Sequence, residues 1–213
     1  MSTSPAPAPL VVGFDLDMTL IDTVPGFGPV LTALAEELGV ELPVDKLTAR
    51  LGPPLDHNLA PYLPAEQIPY AVERFRALYP VAVPSIPVLP GAHEALAAVT
   101  DRGGRTLIVT GKFTHNARLH LEHLGLAPDL LEGEVWGVGK ADVLRREGAS
   151  IYVGDHIHDV EGALAAGITS VSVLSGGCDR AELLDAGTHV VLESLHEFPD
   201  WLDDHLRAAD LAG

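Results

Sequence analysis

Charged and polar side chains gather directly after three apolar segments of the sequence, each of which predicts a buried strand. The segments cover residues 10–14, 105–109 and 150–153. The residues that follow are Asp15, Asp17 and Thr19 after the first, Thr110, Gly111 and Lys112 after the second, and Gly154, Asp155, His156, His158 and Asp159 after the third. Lys140 opens a short predicted helix before the third segment. Four carboxylates with two ammonium groups suit a metal ion and a phosphate group held together.

The lysine content of the chain supports this interpretation. The sequence contains three lysines, Lys46, Lys112 and Lys140, and two of them belong to this set. Each residue also has a structural explanation when it is considered alone, because an aspartate after a strand often caps a helix and a Thr-Gly pair is common in loops. Their joint order, each after a predicted strand, favours a single functional site.

From residue 88 onward, predicted strands alternate with predicted helices. This alternation predicts an α/β fold whose core is a doubly wound, Rossmann-like parallel sheet, built from residues 10–22 and 88–213. Ligands of such sheets bind at the carboxyl ends of the strands, so we expect the polar groups to converge on one edge of the sheet. The weakest strand prediction lies at residues 133–136.

Residues 23–87 have a different pattern, which is helical and interrupted by prolines. A first helix is predicted to end at Gly39, and further helices at residues 44–51, 55–63 and 65–78. This segment predicts a helical insertion into the core. Residues 1–9 alternate proline with small residues and predict a disordered tail.

Composition limits the function classes. Acidic residues number 30 against 13 basic ones, and the net charge of −17 argues against nucleic acid as a partner. Cys178 is the only cysteine, which fits a reducing compartment. No signal peptide and no apolar run of membrane-spanning length is evident, so the sequence predicts a cytoplasmic protein without a membrane partner, either a monomer or a homodimer.

The segment Asp15-Leu16-Asp17-Met18-Thr19 resembles the Asp-x-Asp-x-Thr signature of the haloacid-dehalogenase-like (HAD) hydrolase superfamily. Thr110 resembles the second motif of that superfamily, Lys140 the third, and the run from Gly154 to Asp159 the fourth. The resemblance runs from about residue 10 to the C-terminus. The helical insertion is similar to the small α-helical cap of the phosphoglycolate-phosphatase-like branch, and residues 188–195 resemble its C-terminal part.

Three positions depart from the pattern of this branch. Met18 stands where glycine is usual, Gly111 stands where the branch commonly has asparagine, and Ala141 follows Lys140 where a proline is frequent. None of these changes removes a reactive group.

The resemblance implies a role for each motif residue. Asp15 is expected to be the nucleophile and, with Asp155 and the backbone carbonyl of Asp17, to bind Mg²⁺. Asp17 is expected to protonate the leaving alcohol and then to deprotonate the attacking water. The remaining expected catalytic residues are Thr110 and Lys140, which would bind the phosphoryl group, and Asp159, which would orient Lys140 or a metal-bound water.

The expected substrate is a small phosphorylated metabolite, phosphoglycolate-like or nucleotide-like. Candidate substrate-binding residues are Thr19, Gly111, Lys112, Arg50, His57 and His156. Lys112 could also be a surface lysine, and a transition-metal role for His156 and His158 is a further alternative. Two other functions stay open at this point, a sugar phosphomutase and a phosphate-binding protein without turnover. His115, His120 and His123 lie on one predicted helix and are expected on its solvated or partly packed face.

Overall fold

A computed structural model describes residues 9–49 and 51–212. Its centre is a six-stranded sheet in the order β3-β2-β1-β4-β5-β6, and every neighbouring pair of strands is parallel. The strands are β1 (Val11–Phe14), β2 (Arg105–Val109), β3 (Leu130–Glu132), β4 (Ile151–Gly154), β5 (Thr169–Val173) and β6 (Val190–Leu192). The predicted doubly wound α/β fold is confirmed.

Alternate residues of the central strands face opposite sides of the sheet. In β1, Val12 and Phe14 belong to the larger apolar cluster, whereas Val11 belongs to a second cluster on the other side. In β2, Ile108 joins the first cluster and Leu107 joins the second. Since both faces are covered, these strands are apolar at nearly every position, as is typical of parallel sheets.

Helices from the C-terminal part of the chain cover both faces. They are α5 (Ala92–Thr100), α6 (Thr114–Leu124), α7 (Lys140–Glu147), α8 (Ile157–Ala166), α9 (Arg180–Asp185) and α10 (Phe198–Ala212). Buried residues of α5, α6 and α10 pack in the cluster of Phe14, where Phe198 lies edge-on at 5.4 Å between ring centroids. Buried residues of α7 and α8 pack on the opposite face. The sequence analysis did not predict helix α9.

The chain between β1 and β2 is helical, as the sequence predicted. It contains α1 (Val24–Leu38), α2 (Val44–Thr48), α3 (Leu55–Leu59), α4 (Ile68–Leu78) and a 3-10 helix at Tyr79–Ser85. Pro25 lies in the first turn of α1, and Gly39 ends it with a φ of 66°, in the left-handed region. Helices α2, α3 and α4 are shorter than predicted. That residues 23–87 are a separate domain stays a prediction.

The third strand was predicted in the wrong place. It covers Leu130–Glu132, and residues 133–136 form a loop instead. Glu134 has a φ of 62°, which ends the extended chain, and the N–H of Val135 donates to the carbonyl of Thr110 at 3.0 Å. This hydrogen bond holds the loop against the end of β2.

Two predictions fall outside the described residues. These are the tail, of which residues 1–8 are not described, and Arg50. Within the described ranges, no helix has the length and apolar character needed to cross a bilayer.

Candidate active site

The loops after β1, β2 and β4 meet at one edge of the sheet, where they border a cavity of about 540 Å³. Asp15, Thr110 and Asp155 line it from the strand ends. Lys140 reaches it from the first turn of α7, and Asp159 from the first turn of α8. The side chains predicted from strand ends and helix starts are therefore brought together.

Lys140 is the hub of this group. Its Nζ donates to Asp15 Oδ1 at 2.9 Å, to Asp159 Oδ1 at 2.6 Å and to the Tyr152 hydroxyl at 2.8 Å. The lysine side chain is only 3% exposed. Burial opposes its charge, but Asp15 and Asp159 outweigh burial and raise the pKa of Lys140 above its ordinary value. Lys140 is therefore charged and fixed in position.

The neighbouring carboxylates carry more negative charge than this lysine can balance. Burial raises the pKa of Asp15 to about 7 against the opposing charge of Lys140, and Asp159 and Asp17 add to the rise. Burial, with the charges of Asp159 and Asp15, raises the pKa of Asp155 well above its ordinary value. Carboxylates crowded in this way call for a further cation.

The donor set fits a hard divalent cation. Carboxylate oxygens of Asp15, Asp155 and Asp159 all lie within 4.8 Å of one another, and oxygen ligands are those that Mg²⁺ prefers. The side chain of Asp17 is not in this cluster, so the expectation that Asp17 binds metal rests on its backbone carbonyl alone. Both oxygens of Asp159 already accept hydrogen bonds, Oδ1 from Lys140 and Oδ2 from the N–H of His156, whereas only Oδ1 of Asp15 is bound by Lys140. This leaves Asp15 and Asp155 as the principal carboxylate ligands.

Two glycines allow the close packing around these carboxylates. A Cβ on Gly154 would lie 2.4 Å from Asp159 Cγ, and a Cβ on Gly176 would lie 1.8 Å from Asp155 Oδ2. Asp159 Oδ2 also accepts from the N–H of His156 at 3.1 Å, as part of the capping box of α8. In the Gly-Asp-x-x-x-Asp motif, the final residue Asp159 thus both caps α8 and binds Lys140.

Thr19 lies behind Asp155 and not along the cavity. Its side chain is fully buried, and its hydroxyl donates to Asp155 Oδ1 at 2.9 Å. The structure therefore corrects the expectation that Thr19 contacts the substrate. Its enclosed hydroxyl holds Asp155 in place instead. Met18 beside it has a φ of 60°, in the left-handed region, which explains why glycine suits this position.

Asp17 is held by a separate hydrogen-bonded chain. Its Oδ1 accepts from Lys112 Nζ at 2.7 Å and from the hydroxyl of Thr23. Lys112 Nζ also donates to the Tyr79 hydroxyl at 2.7 Å, and that hydroxyl lies 3.2 Å from His120 Nε2. Burial opposes ionisation of Asp17, but the charge and hydrogen bonds of Lys112 and Thr23 outweigh burial, so the pKa of Asp17 lies below its ordinary value.

These hydrogen bonds change two expectations from the sequence. The Lys112 side chain is 8% exposed and bound to Asp17, so it is not a surface lysine, and its ammonium group already has a carboxylate partner. His120 is fully buried, and therefore the expected solvated or partly packed position is wrong for this residue. Burial, with the nearby charge of Lys112, lowers the pKa of His120 to about 4.

Residues 51–54, which lead into α3, border the site. A Cβ on Gly52 would lie 2.7 Å from His156 Cδ2, so this segment approaches His156 closely at this point. Pro53 and Pro54 line the cavity with Gly111 and His156. His57 stands apart: its side chain is 65% exposed, and its ring lies 5.6 Å from that of Trp136.

Sequence reasoning missed the aromatic residues of the site, among them Tyr79, Trp136 and Tyr152. Tyr152 donates its hydroxyl hydrogen to the Val109 carbonyl at 2.6 Å while accepting from Lys140. A tyrosine inside an otherwise aliphatic strand is a usable signal, since a buried hydroxyl needs a partner. Tyr79 and Trp136 lie in a 3-10 helix and in a loop, where no periodicity marks them.

The chain matches two family models. One describes haloacid dehalogenase-like hydrolases and matches residues 12–164; the other describes HAD-like hydrolases and matches residues 136–198. The chain therefore belongs to the haloacid dehalogenase-like hydrolase family, and this prediction from the sequence is confirmed.

Individual relatives narrow the family to a branch. The chain is 31% identical to the phosphoglycolate phosphatase of Rhodospirillum rubrum, with 91% of each chain covered, and 29% identical to that of Caulobacter vibrioides, with 88% of each covered. It is also 30% identical to the tyrosine-protein kinase PtkA of Mycobacterium tuberculosis, covering 90% of this chain and 70% of that one. A haloacid dehalogenase-like hydrolase of Streptococcus pneumoniae superimposes with a TM-score of 0.80 at 25% identity, covering 91% and 98% of the two chains. The predicted phosphoglycolate-phosphatase-like branch is confirmed.

Proposed function

We propose that this protein is a Mg²⁺-dependent phosphatase that hydrolyses small phosphate monoesters through an aspartyl-phosphate on Asp15. The observation that carries the proposal is the Asp15 carboxylate, which borders the cavity at the end of β1 while Lys140 holds one of its oxygens at 2.9 Å. The similarity to enzymes named phosphoglycolate phosphatases supports the reaction type.

The first half of the reaction transfers the phosphoryl group to Asp15. Because Lys140 binds Oδ1, Oδ2 is the attacking atom, and a bond from Oδ2 to phosphorus forms as the ester P–O bond breaks. Asp17 gives its proton to the departing alcohol oxygen. Thr110 and Gly111 line the cavity at the end of β2. In this proposal the hydroxyl of Thr110 and the backbone N–H of Gly111 donate to phosphoryl oxygens, beside the charge of Lys140.

The second half regenerates the enzyme. Water attacks phosphorus, Asp17 accepts the proton of that water, and the bond between phosphorus and Asp15 breaks to release phosphate. The lowered pKa of Asp17 favours its ionised form, which is the form required for this step. A phosphate dianion bound nearby raises the pKa of Asp17 by repulsion, which favours the protonated form needed in the first half.

Mg²⁺ would be bound by Asp15 and Asp155, with the backbone carbonyl of Asp17 as a further ligand. When bound, it would balance the negative charge that the carboxylates and the phosphate bring together. Asp159 would act through Lys140, which it holds at 2.6 Å. That Arg50, His57 and His156 contact the substrate stays a prediction.

The test is phosphate release from p-nitrophenyl phosphate and ethyl phosphate, with Mg²⁺ and with EDTA. We expect release only with the metal, and after rapid acid quenching we expect a protein heavier by one phosphoryl group. A stable phosphoenzyme that turns over only when a sugar bisphosphate is added would indicate a phosphomutase and not a phosphatase. Release of phosphate with no phosphoenzyme would contradict the covalent route, for a substrate whose phosphoryl transfer to the protein is faster than the later hydrolysis.

A further inference from the structure

The cavity that Asp15 borders also has an apolar wall. The side chains that build it come from α1, α4 and two loops of the core, and they are Phe27, Ile68, Val72, Phe75, Phe113 and Trp136. Pro53 and Pro54, which lead into α3, extend this surface. A cavity of about 540 Å³ far exceeds the volume of a phosphate group, so most of it faces the leaving group of a substrate.

The lysine and arginine side chains described along the cavity already have carboxylate partners. Lys140 is bound to Asp15 and Lys112 to Asp17. Arg76 pairs with Glu134 at 2.9 Å, and its guanidinium lies 4.2 Å from the ring centre of Phe113. Among these three described cations, a leaving group with its own carboxylate or second phosphate could gain a partner only by breaking one of the pairs.

Two side-chain amides of the lining donate to backbone carbonyls, and the unpartnered Asn116 Oδ1 and Trp136 Nε1 are themselves enclosed by the protein. Asn58 Nδ2 donates to the Pro53 carbonyl at 3.1 Å, and Asn116 Nδ2 to the Arg76 carbonyl at 3.5 Å. A hydroxyl-rich leaving group placed against the apolar wall would lose hydrogen bonds to water without replacing them. An apolar leaving group loses nothing there and gains burial.

We propose that the preferred substrates are phosphate monoesters of apolar alcohols, alkyl or arylalkyl, whose carbon body lies against Phe27, Ile68, Val72 and Phe75. This inference rests on the proposed phosphatase function and restricts its substrate class. Glycolate and sugars are disfavoured leaving groups under this proposal.

A series of primary alkyl phosphates tests the proposal. Ethyl, butyl, hexyl and 2-phenylethyl phosphate all release a primary alcohol of similar basicity, so differences in kcat/KM report contacts of the carbon body. We expect kcat/KM to rise about two- to fourfold for each methylene group that is buried, and 2-phosphoglycolate to fall below butyl phosphate. A flat series, or 2-phosphoglycolate as the best substrate, would overturn the inference.

These outcomes are distinct from failure of the proposed function. If p-nitrophenyl phosphate and every alkyl phosphate release no phosphate with Mg²⁺ and folded protein, the phosphatase reaction itself is wrong. If ethyl phosphate is hydrolysed but longer esters gain nothing, only the substrate class is wrong.

Two neighbouring residues of α4 provide a matched pair of variants. Val72 lines the cavity, whereas Tyr70 is 53% exposed on the other side of the helix. Val72→Asn is expected to lower the ratio of kcat/KM for hexyl over ethyl phosphate at least about threefold, and Tyr70→Asn to leave it unchanged. Ile68→Asn serves as a second variant if Val72→Asn does not fold. An unchanged ratio in a folded Val72→Asn or Ile68→Asn protein would contradict the proposal, and the alkyl series in the unmodified protein decides it independently.

Discussion

Lys112 and Asp17 form a salt bridge of 2.7 Å that joins the loop after β2 to the loop after β1. The lysine is the less exposed partner, at 8% against 24% for the aspartate side chain. Its ammonium group also binds Tyr79, which lies in the helical insertion. The orientation of the proposed acid and base is therefore set from both the sheet and the insertion.

Replacing Lys112 with methionine should impair the steps that use Asp17. We expect kcat for ethyl phosphate to fall at least about tenfold, since general acid–base catalysis is worth roughly 10²–10⁴ and only its positioning is lost. The burst of p-nitrophenol from p-nitrophenyl phosphate should fall less than about threefold, because this leaving group departs without a proton from the acid. Stopped-flow and steady-state assays give the two values.

Lys112→Arg controls for the charge in this experiment. It should restore part of the lost kcat for ethyl phosphate, because a guanidinium group can still donate to Asp17. Equal losses on both substrates in Lys112→Met would show that Lys112 serves phosphate binding or the fold and not Asp17.

Asp15→Asn should abolish turnover while the protein stays folded. A neutral amide is a poor nucleophile, so we expect a loss of about 10³-fold or more in kcat and no phosphoenzyme after acid quenching. Asp142→Asn is the matched control, because the side chain of Asp142 is 90% exposed on α7. Substantial activity in Asp15→Asn would disprove the covalent mechanism.

Thr19→Val should weaken metal binding more than it weakens catalysis. The change removes the hydrogen bond to Asp155 Oδ1 and leaves a side chain of similar volume. Partners that orient metal ligands are typically worth about 10- to 100-fold in metal affinity, so the Mg²⁺ concentration for half-maximal activity should rise by that order. Activity at saturating Mg²⁺ should largely return. A Mg²⁺ titration of both proteins measures this, and an unchanged requirement for Mg²⁺ would argue against Asp155 as a ligand positioned by Thr19.

His120 should make the protein less stable as the pH falls. Its pKa is about 4 in the folded protein against 6.5 ordinarily, so the unfolded chain binds more protons between these values. The free energy of unfolding should therefore fall between pH 7 and pH 5, by up to about 2 kcal/mol from this residue. Urea unfolding of the wild type and of His120→Gln checks this, because the variant should lose less stability over the same interval.

His123→Gln accompanies that measurement as a control. His123 is exposed on the same helix, so its replacement reports the cost of changing a histidine of α6 at neutral pH. If the wild type and His120→Gln show parallel pH dependence, burial of a neutral His120 does not govern acid stability.

Much of the fold follows from local pattern. Helix α6 and strand β6 lie where the sequence predicted them, because periodicity and ending glycines are properties of neighbouring residues. The edge strand β3 was misplaced, since its sequence Leu-Leu-Glu has no β-branched residue, unlike the Val-Val-Leu of β6, and its position depends on its pairing with β2.

The sequence by itself determined the family, the parallel sheet and the positions of Asp15, Thr110 and Asp155 after the strands, because these depend on spacing along the chain. Only the tertiary structure decided that Thr19 faces Asp155, that Lys112 binds Asp17 and that His120 is buried while the neighbouring His123 is exposed. Those outcomes depend on which distant segments pack together. A hydrogen bond between residues 136 positions apart, such as that of Thr19, leaves no periodic trace in the sequence.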